Sequence, residues 1–194
     1  IAREKGLAPL AERLWEQRME DPAPLELAAA YVDEALGVAT PADALAGAGD
    51  ILAETYSDDA QIRARLRQLV AKEGRIHTKA AKEEDSVYRM YYDFAEPVRA
   101  MAGHRVLAMD RGEREGFLKV SLELPEGPAL QAVTQGSLKP GAPSTPLVEA
   151  AAKDAYGRLI LPAMERETRS QLTEAAQEAV SYTHLRAHET VLDL

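Results

Sequence analysis

Leu7, Leu10 and Leu14 recur at helical spacing with Trp15 beside them, which predicts a first helix from about Leu7 to Glu20, stopped by Asp21-Pro22. Leu25, Ala28, Val32 and Leu36 make the next stripe, closed by Gly37. Thr40-Pro41 then offers an N-cap hydroxyl with proline at the first helical position, opening a helix through Leu45 and Leu52 to about Thr55. Ser57-Asp58 caps a fourth helix with Ile62, Leu66, Leu69 and Val70 inward, ended by Gly74. Residues 1–74 thus read as an array of short amphipathic helices with tight turns, without a repeat in residue identity.

The pattern changes at Arg75. Residues 75–104 read as a basic and aromatic connector. Arg75 to Glu84 is basic and then acidic, Tyr88, Tyr91, Tyr92 and Phe94 follow, and Pro97 opens a short helix that closes near Gly103. Within 105–144, Val106 and Ala108, and later Leu118, Val120, Leu122 and Leu124, alternate with polar partners. That period of two predicts a β-hairpin of Arg105–Met109 and Phe117–Leu124 around the charged turn Asp110–Gly116. Pro125 to Pro146, rich in Gly, Pro and Ser, reads as a loop. Helix returns over 145–180, with Leu147, Val148, Ala151, Ala155, Leu159 and Ile160 on one face. Pro162 is expected to interrupt it, and a second helix runs from about Ala163 to Val180. The last residues, 181–194 (SYTHLRAHETVLDL), break the preceding pattern. They read as translated sequencing-adapter text, an artefact tail set aside from the functional argument.

Composition narrows the class. The chain is 46% hydrophobic with only 5% aromatics, so its core is built from Leu, Ala, Val and Ile, which suits helix-on-helix packing. A net charge of -9 opposes non-specific nucleic-acid binding by the whole surface but leaves room for a local basic patch. The absence of cysteine removes disulfides, thiol nucleophiles and zinc–thiolate sites, and fits a cytoplasmic protein. No apolar run has the length to span a bilayer and no signal-peptide pattern is present. A start at Ile1 rather than Met is expected of a piece cut from something longer.

Several residues are candidates for chemistry. His184 and His188 have the i, i+4 spacing of a helical metal pair, but lie in the tail and lack further ligands. His77 and His104 have no nucleophile or orienting group at a recognisable spacing, so surface or capping roles fit them better. Glu83-Glu84-Asp85, and Asp93 with Glu96, are carboxylate clusters that a chain with 32 acidic residues supplies by chance. Asp110 sits where a metal-binding aspartate at a strand end would, with no second or third carboxylate beside it. Gly112 and Gly116 bracket a charged turn and make no phosphate-binding motif. The strongest candidate is a nucleic-acid contact: Arg75, Lys79 and Lys82, with His77, followed by Tyr88, Tyr91 and Tyr92. Cations beside aromatics suit phosphate contacts with base stacking. Arg63, Arg65 and Arg67 would extend it. The rival reading is a solvated helix end leading to packed tyrosines, which the acids at 83–85 favour.

These same residues carry a resemblance. AREKGLAPLAERL near the start, DRGEREGFLKVSLELP at 110–125 and DAYGRLILPAMERETRSQLTEAAQEA at 154–179 resemble successive parts of the Tex family of bacterial RNA-binding transcription accessory proteins. Tyr91-Tyr92-Asp93-Phe94 matches an aromatic-acidic patch between the first two blocks. The resemblance covers 1–180. It rests on the order of the four blocks rather than on any single motif. It implies a helical N-terminal region followed by an RNase H-like domain, helix-hairpin-helix elements and a C-terminal OB-fold RNA-binding domain. This chain is similar to the helical region, short of its extreme start and ending before the RNase H-like domain.

The expected fold is therefore mainly α, a helical array with a small β-hairpin insertion, as the multi-helical N-terminal region of a larger protein. The expected function is a non-catalytic scaffold in an RNA-binding transcription accessory protein, with no cofactor, metal or small-molecule substrate. RNA or DNA would be bound mainly through domains outside this chain. The rival function is docking on the transcription or translation machinery without nucleic-acid contact of its own.

Overall fold

The structure is a computed structural model that describes residues 1–192. The fold is mainly helical with a small antiparallel β insertion, as the hydrophobic pattern predicts. It divides into two compact units, each assembled from two stretches of chain. Unit 1 comprises Ile1–Leu66 and Glu126–Leu161; unit 2 comprises Arg67–Pro125 and the helix from Pro162 onward.

Unit 1 is helical. Helix α1 (Ala8–Glu16) buries Leu10, Ala11 and Leu14, and Leu7 just before it is also buried. It is shorter than the stripe predicts. Gln17 turns left-handed with φ 48° and its N–H closes on the Leu14 carbonyl, ending the helix before Glu20. The stripe at 25–36 is not a helix face. Only Pro24–Ala29 is helical (α2), followed by an isolated 3₁₀ turn at Glu34–Leu36, and Leu25, Val32 and Leu36 are exposed. The Asp33 side chain accepts from the Ala35 N–H and the Asp33–Val38 bridge closes the loop, so local turn hydrogen bonds replace helix there.

Thr40 does cap α3 (Pro41–Asp58), accepting from the Asp43 N–H at 3.1 Å with Pro41 at the first position. The cap of α4 (Ala60–Glu73) is Asp59 rather than Ser57-Asp58: its carboxylate accepts from the Gln61 N–H at 2.8 Å. Helix α3 packs on α1, on α2 and on α7 (Thr145–Ala155). The contact positions are small: Ala44 and Ala48 on α3, and Ala151, Ala152 and Ala155 on α7, are all buried. Small side chains let helix axes approach closely. Gly47 has the same reason, because a Cβ there would stand 2.3 Å from Leu7 Cδ1.

Two elements correct the sequence reading in this stretch. The expected loop at 125–146 contains helix α6 (Glu126–Thr134), with Pro128 in the first turn where a missing N–H is harmless, and Ala129 and Val133 buried one turn apart. Pro162 does not interrupt the helix. A π-helical turn at Tyr156–Ile160 carries α7 into α8 (Leu161–Leu192), so the proline falls in the first turn after a local change of hydrogen-bond register. From Gln177 to Val191 every residue of α8 is exposed.

Unit 2 holds a three-stranded antiparallel sheet in the order β2-β1-β3, from β1 (Arg75–Ala80), β2 (Asp93–Pro97) and β3 (Leu118–Glu123). The connector read at 75–104 thus carries two of the three strands, β1 and β2. The hairpin read at 105–124 is also corrected: Gly103–Arg114 is helix α5, with Val106, Met109 and Gly112 buried at three-residue spacing. A spacing of three serves a helix, and β3 pairs instead with β1, some forty residues upstream, where Ile76 faces Leu122 and Thr78 faces Val120. Helix α5 packs on β3. Gly112 permits this, since a Cβ would lie 2.6 Å from Leu118 Cδ1 and 3.1 Å from the Tyr88 ring. β3 is a sheet edge, and its Leu122 N–H is taken by Glu165 of α8 at 3.1 Å, which blunts that edge.

Candidate nucleic-acid interface

The alternation of β1 divides its residues between two environments. Ile76 and Thr78 are buried, while Arg75 and Lys79 are exposed and His77 is half-buried beside them. Register adds the neighbours. Arg75 lies between Pro97 and Glu123, His77 between Ala95 and Ser121, and Lys79 between Asp93 and Lys119. Residues directly opposite share a face. The outer face of the sheet therefore carries Arg75, Lys79 and Lys119 with His77 at its centre.

His77 acts as a clasp across the three strands. Its Nδ1 lies 2.7 Å from Glu123 Oε1 and its Nε2 lies 3.3 Å from Asp93 Oδ1. The two carboxylates on this face are thereby engaged with the imidazole. Arg75, Lys79 and Lys119 have no carboxylate within 4 Å among the described residues. Lys79 and Lys119 stand directly opposite each other, a like-charge pair, with Asp93 opposite Lys79 on the other neighbouring strand. Lys82 is placed differently: its ammonium lies 4.2 Å from the Phe117 ring centre and 3.9 Å from Glu84.

The tyrosines are not a stacking platform. Tyr88 and Tyr91 are each only 5% exposed, so their faces are unavailable to bases. The Tyr88 ring packs against Phe117, with its hydroxyl donating to Glu115 Oε2 at 2.7 Å, and Tyr91 meets Phe94 edge-on. Tyr92 is half-buried, its hydroxyl held by Ser86 and by the Glu84 carbonyl. The arginines expected to extend the patch are engaged too. Arg63 donates to the Ser57 carbonyl, Arg65 to the Ala132 carbonyl and Arg67 to Glu167.

The remaining candidates take structural partners. Asp110 accepts from Arg169 at 3.0 Å and from the Thr173 hydroxyl at 2.5 Å, and Arg169 also meets Glu113, tying α5 to α8. Glu96 pairs with Arg105 at 2.6 Å. His104, Glu83, Glu84 and Asp85 are exposed, as are His184 and His188 on α8. Gly116 has φ 82°, the left-handed value that closes the turn after α5. Among the described residues no group of three or more His, Asp or Glu is arranged to hold a metal ion, and no helix is long and apolar enough to cross a membrane.

Hydrogen bonds from Tyr88 and then Arg111 hold the Glu115 carboxyl below its ordinary range, while burial first and Glu115 second push the Tyr88 hydroxyl up. A depressed carboxyl lends its stability above the unfolded-state value and loses it as pH falls through the folded one. Tyr88→Phe is therefore expected to move the Glu115 titration to higher pH, read by carboxyl NMR. An unmoved titration would show that the hydroxyl does not donate there.

Charge is distributed unevenly between the units. Unit 1 carries nine Lys and Arg against sixteen Asp and Glu; unit 2 carries fourteen against sixteen. The exposed cations of the sheet face thus lie in the unit that is nearly balanced. Lys119 is the residue that the sequence reading left out. Its outward position was readable from the alternation of β3, but its pairing with Lys79 was not.

Fold and site together define a mainly helical chain with a small sheet whose outer face bears exposed cations. The chain belongs to the Tex family: a family model described as Tex central region-like matches residues 20–182. It is 38% identical over 186 residues to the uncharacterized protein YdcI of Bacillus subtilis, covering 92% of this chain and 25% of that protein. It is 38% identical over 129 residues to Protein tex of Bordetella pertussis, covering 64% of this chain and 16% of that protein. The human S1 RNA-binding domain-containing protein 1 is 26% identical over 193 residues, covering 91% of this chain and 19% of that protein. The chain spans a quarter or less of the length of these relatives.

Proposed function

We propose that this chain is a non-catalytic scaffold region of a cytoplasmic, Tex-like transcription accessory protein, and that it touches nucleic acid through the outer face of its sheet. The observation that carries the reading is the exposed set Arg75, Lys79 and Lys119 on adjacent strands, none with a carboxylate within 4 Å among the described residues, although Arg75 donates to the Ala95 carbonyl at 3.4 Å. The contact is to phosphates and not to bases, because Tyr88 and Tyr91 belong to the core. It is weak by itself, since three cations neutralise few phosphates. The human relative is named as an S1 RNA-binding domain-containing protein, which supports RNA as the ligand class. The scaffold role is supported by the way acids and aromatics are consumed. Asp110, Glu113, Glu96 and Tyr88 all hold elements of unit 2 together.

The test is binding of the chain to labelled single-stranded RNA and duplex DNA at low salt. It is compared with a variant carrying Arg75→Ala, Lys79→Ala and Lys119→Ala. Binding is expected to fall by about 10-fold or more in the variant, in keeping with phosphate contacts that position without reading sequence. Equal binding by the two proteins would refute the sheet face as the contact. Metal-dependent cleavage by the chain would refute the scaffold role.

A further inference from the structure

His77 is the one outward residue of β1 that the proposed phosphate contact does not use, and its two contacts run against the geometry of the sheet. Register sets each acid of the outer face directly opposite a cation of β1. Asp93 of β2 is opposite Lys79, and Glu123 of β3 is opposite Arg75. Directly opposite side chains start ~5 Å apart at Cβ and diagonal ones ~7 Å apart, so the short route for each carboxylate leads to its cation. Neither acid takes it. No carboxylate lies within 4 Å of Arg75 or Lys79 among the described residues. Both acids instead cross the diagonal to His77, Glu123 to Nδ1 at 2.7 Å and Asp93 to Nε2 at 3.3 Å.

The neighbours of His77 account for this choice. Directly beside it stand Ala95 on β2 and Ser121 on β3, small residues that leave the imidazole room to reach either way. The ring has a nitrogen on each side, and each can carry a donor N–H. The His77 side chain is 14% exposed, against 52% for Glu123 and 93% for Asp93. The ring is therefore the fixed partner, and the acids are the groups with room to turn.

We propose that His77 is a positioning residue of the sheet face: it holds Asp93 and Glu123 away from Lys79 and Arg75, so that these cations are left for the phosphates of an RNA. This rests on the sheet face as the phosphate contact. Without the imidazole, each acid has its directly opposite cation as nearest partner, and an ion pair formed there competes with phosphate. Lys119 is opposite Lys79 and faces no acid across the register. Loss of His77 therefore reduces binding without abolishing it.

The test is a cycle of variants in the whole chain, read by binding of a labelled single-stranded uridine oligonucleotide at low salt. His77→Ala is expected to bind about 5-fold more weakly, the factor one exposed ion pair supplies at its upper range. Asp93→Asn with Glu123→Gln removes both acids. Removing negative charge raises affinity in any background, so the coupling is what matters. The gain is expected to be larger in the His77→Ala background than in the native one, by about 5-fold. Two outcomes would overturn the proposal: equal binding by His77→Ala and the native chain, or the same gain from the acid substitutions in both backgrounds. The variant with Arg75→Ala, Lys79→Ala and Lys119→Ala separates this role from the reading it rests on. If that variant loses binding while His77→Ala does not, the sheet face stands and only the role of His77 falls. If it binds like the native chain, both fall.

Discussion

Gln17→Ala is expected to destabilise the chain by about 3 kcal/mol in urea unfolding. Gln17 is 1% exposed and fully used. Its Nε2 donates to the Ser137 carbonyl at 2.7 Å and to the Trp15 carbonyl at 3.2 Å, while its Oε1 accepts from the Lys139 N–H at 2.8 Å. The Ser137 hydroxyl meets the buried Tyr56 hydroxyl at 2.8 Å, so the amide anchors the loop after α6 to the end of α1. Alanine removes all three bonds and strands their backbone partners, at about 1–3 kcal/mol for each one left buried. The backbone supplies a control. Gln17 is the one non-glycine residue with positive φ among the described residues, at 48°. Gln17→Gly loses the same bonds but relieves the left-handed strain, so it should be less destabilised than Gln17→Ala by about 1 kcal/mol. Equal stability of the two variants would mean that the left-handed turn is not formed. A loss under about 1 kcal/mol in both would mean that the amide clamp is absent.

The second large effect separates neighbouring residues of one strand. Ile76→Ala should cost about 3 kcal/mol, the usual range for a buried isoleucine, because Ile76 is 1% exposed between Leu122 and Glu96. His77→Ala should cost about 1 kcal/mol or less, although it breaks contacts to both Glu123 and Asp93, because those contacts lie on the outer face. A strand that slipped by one residue would exchange the two environments and reverse this order. The comparison therefore tests the register that puts Arg75, Lys79 and Lys119 together. Thermal unfolding of the two variants suffices.

That register is also where sequence reading reached its limit. The helical stripes of α1, α3, α4 and α7 were legible because Leu7, Leu10, Leu14, Ile62, Leu66 and Val148 repeat at a spacing that only a helix puts on one face. Thr40-Pro41 was legible as a cap because its chemistry is local. The sheet was not. β1 offers only Ile76 and Thr78 to the core, and a buried threonine does not mark an inward position. Its partner β3 lies across α5, so no turn signal links them. In α5, Val106 and Ala108 suggested alternation, while the positions that matter, Val106, Met109 and Gly112, include a glycine that only packing against Leu118 explains.

For the candidate interface, Arg75 and Lys79 were legible as cations. The exposure of Tyr88 and Tyr91 was not, since a run of tyrosines serves a core as well as it serves a nucleic acid, and here Phe117 and Phe94 claim them. Tyr88 and Tyr91 are packed, as the alternative reading has it, but the basic stretch before them is strand β1 and not a solvated helix end. α2 was overread for the opposite reason. Leu25, Val32 and Leu36 keep helical spacing but have no surface to cover, and a loop closed by Asp33 and Val38 takes their place.

The claim that the sheet face touches phosphate is tested most directly by salt dependence. The affinity of the chain for single-stranded RNA is measured across a salt series, beside a variant with Lys79→Ala and Lys119→Ala. Each phosphate contact contributes about 0.7 to the slope of log affinity against log salt on a single strand. The variant is expected to bind more weakly with a slope shallower by about 1.4, two contacts' worth. An unchanged slope, or no binding by the folded native chain at low salt, would contradict the assignment and leave the scaffold role alone.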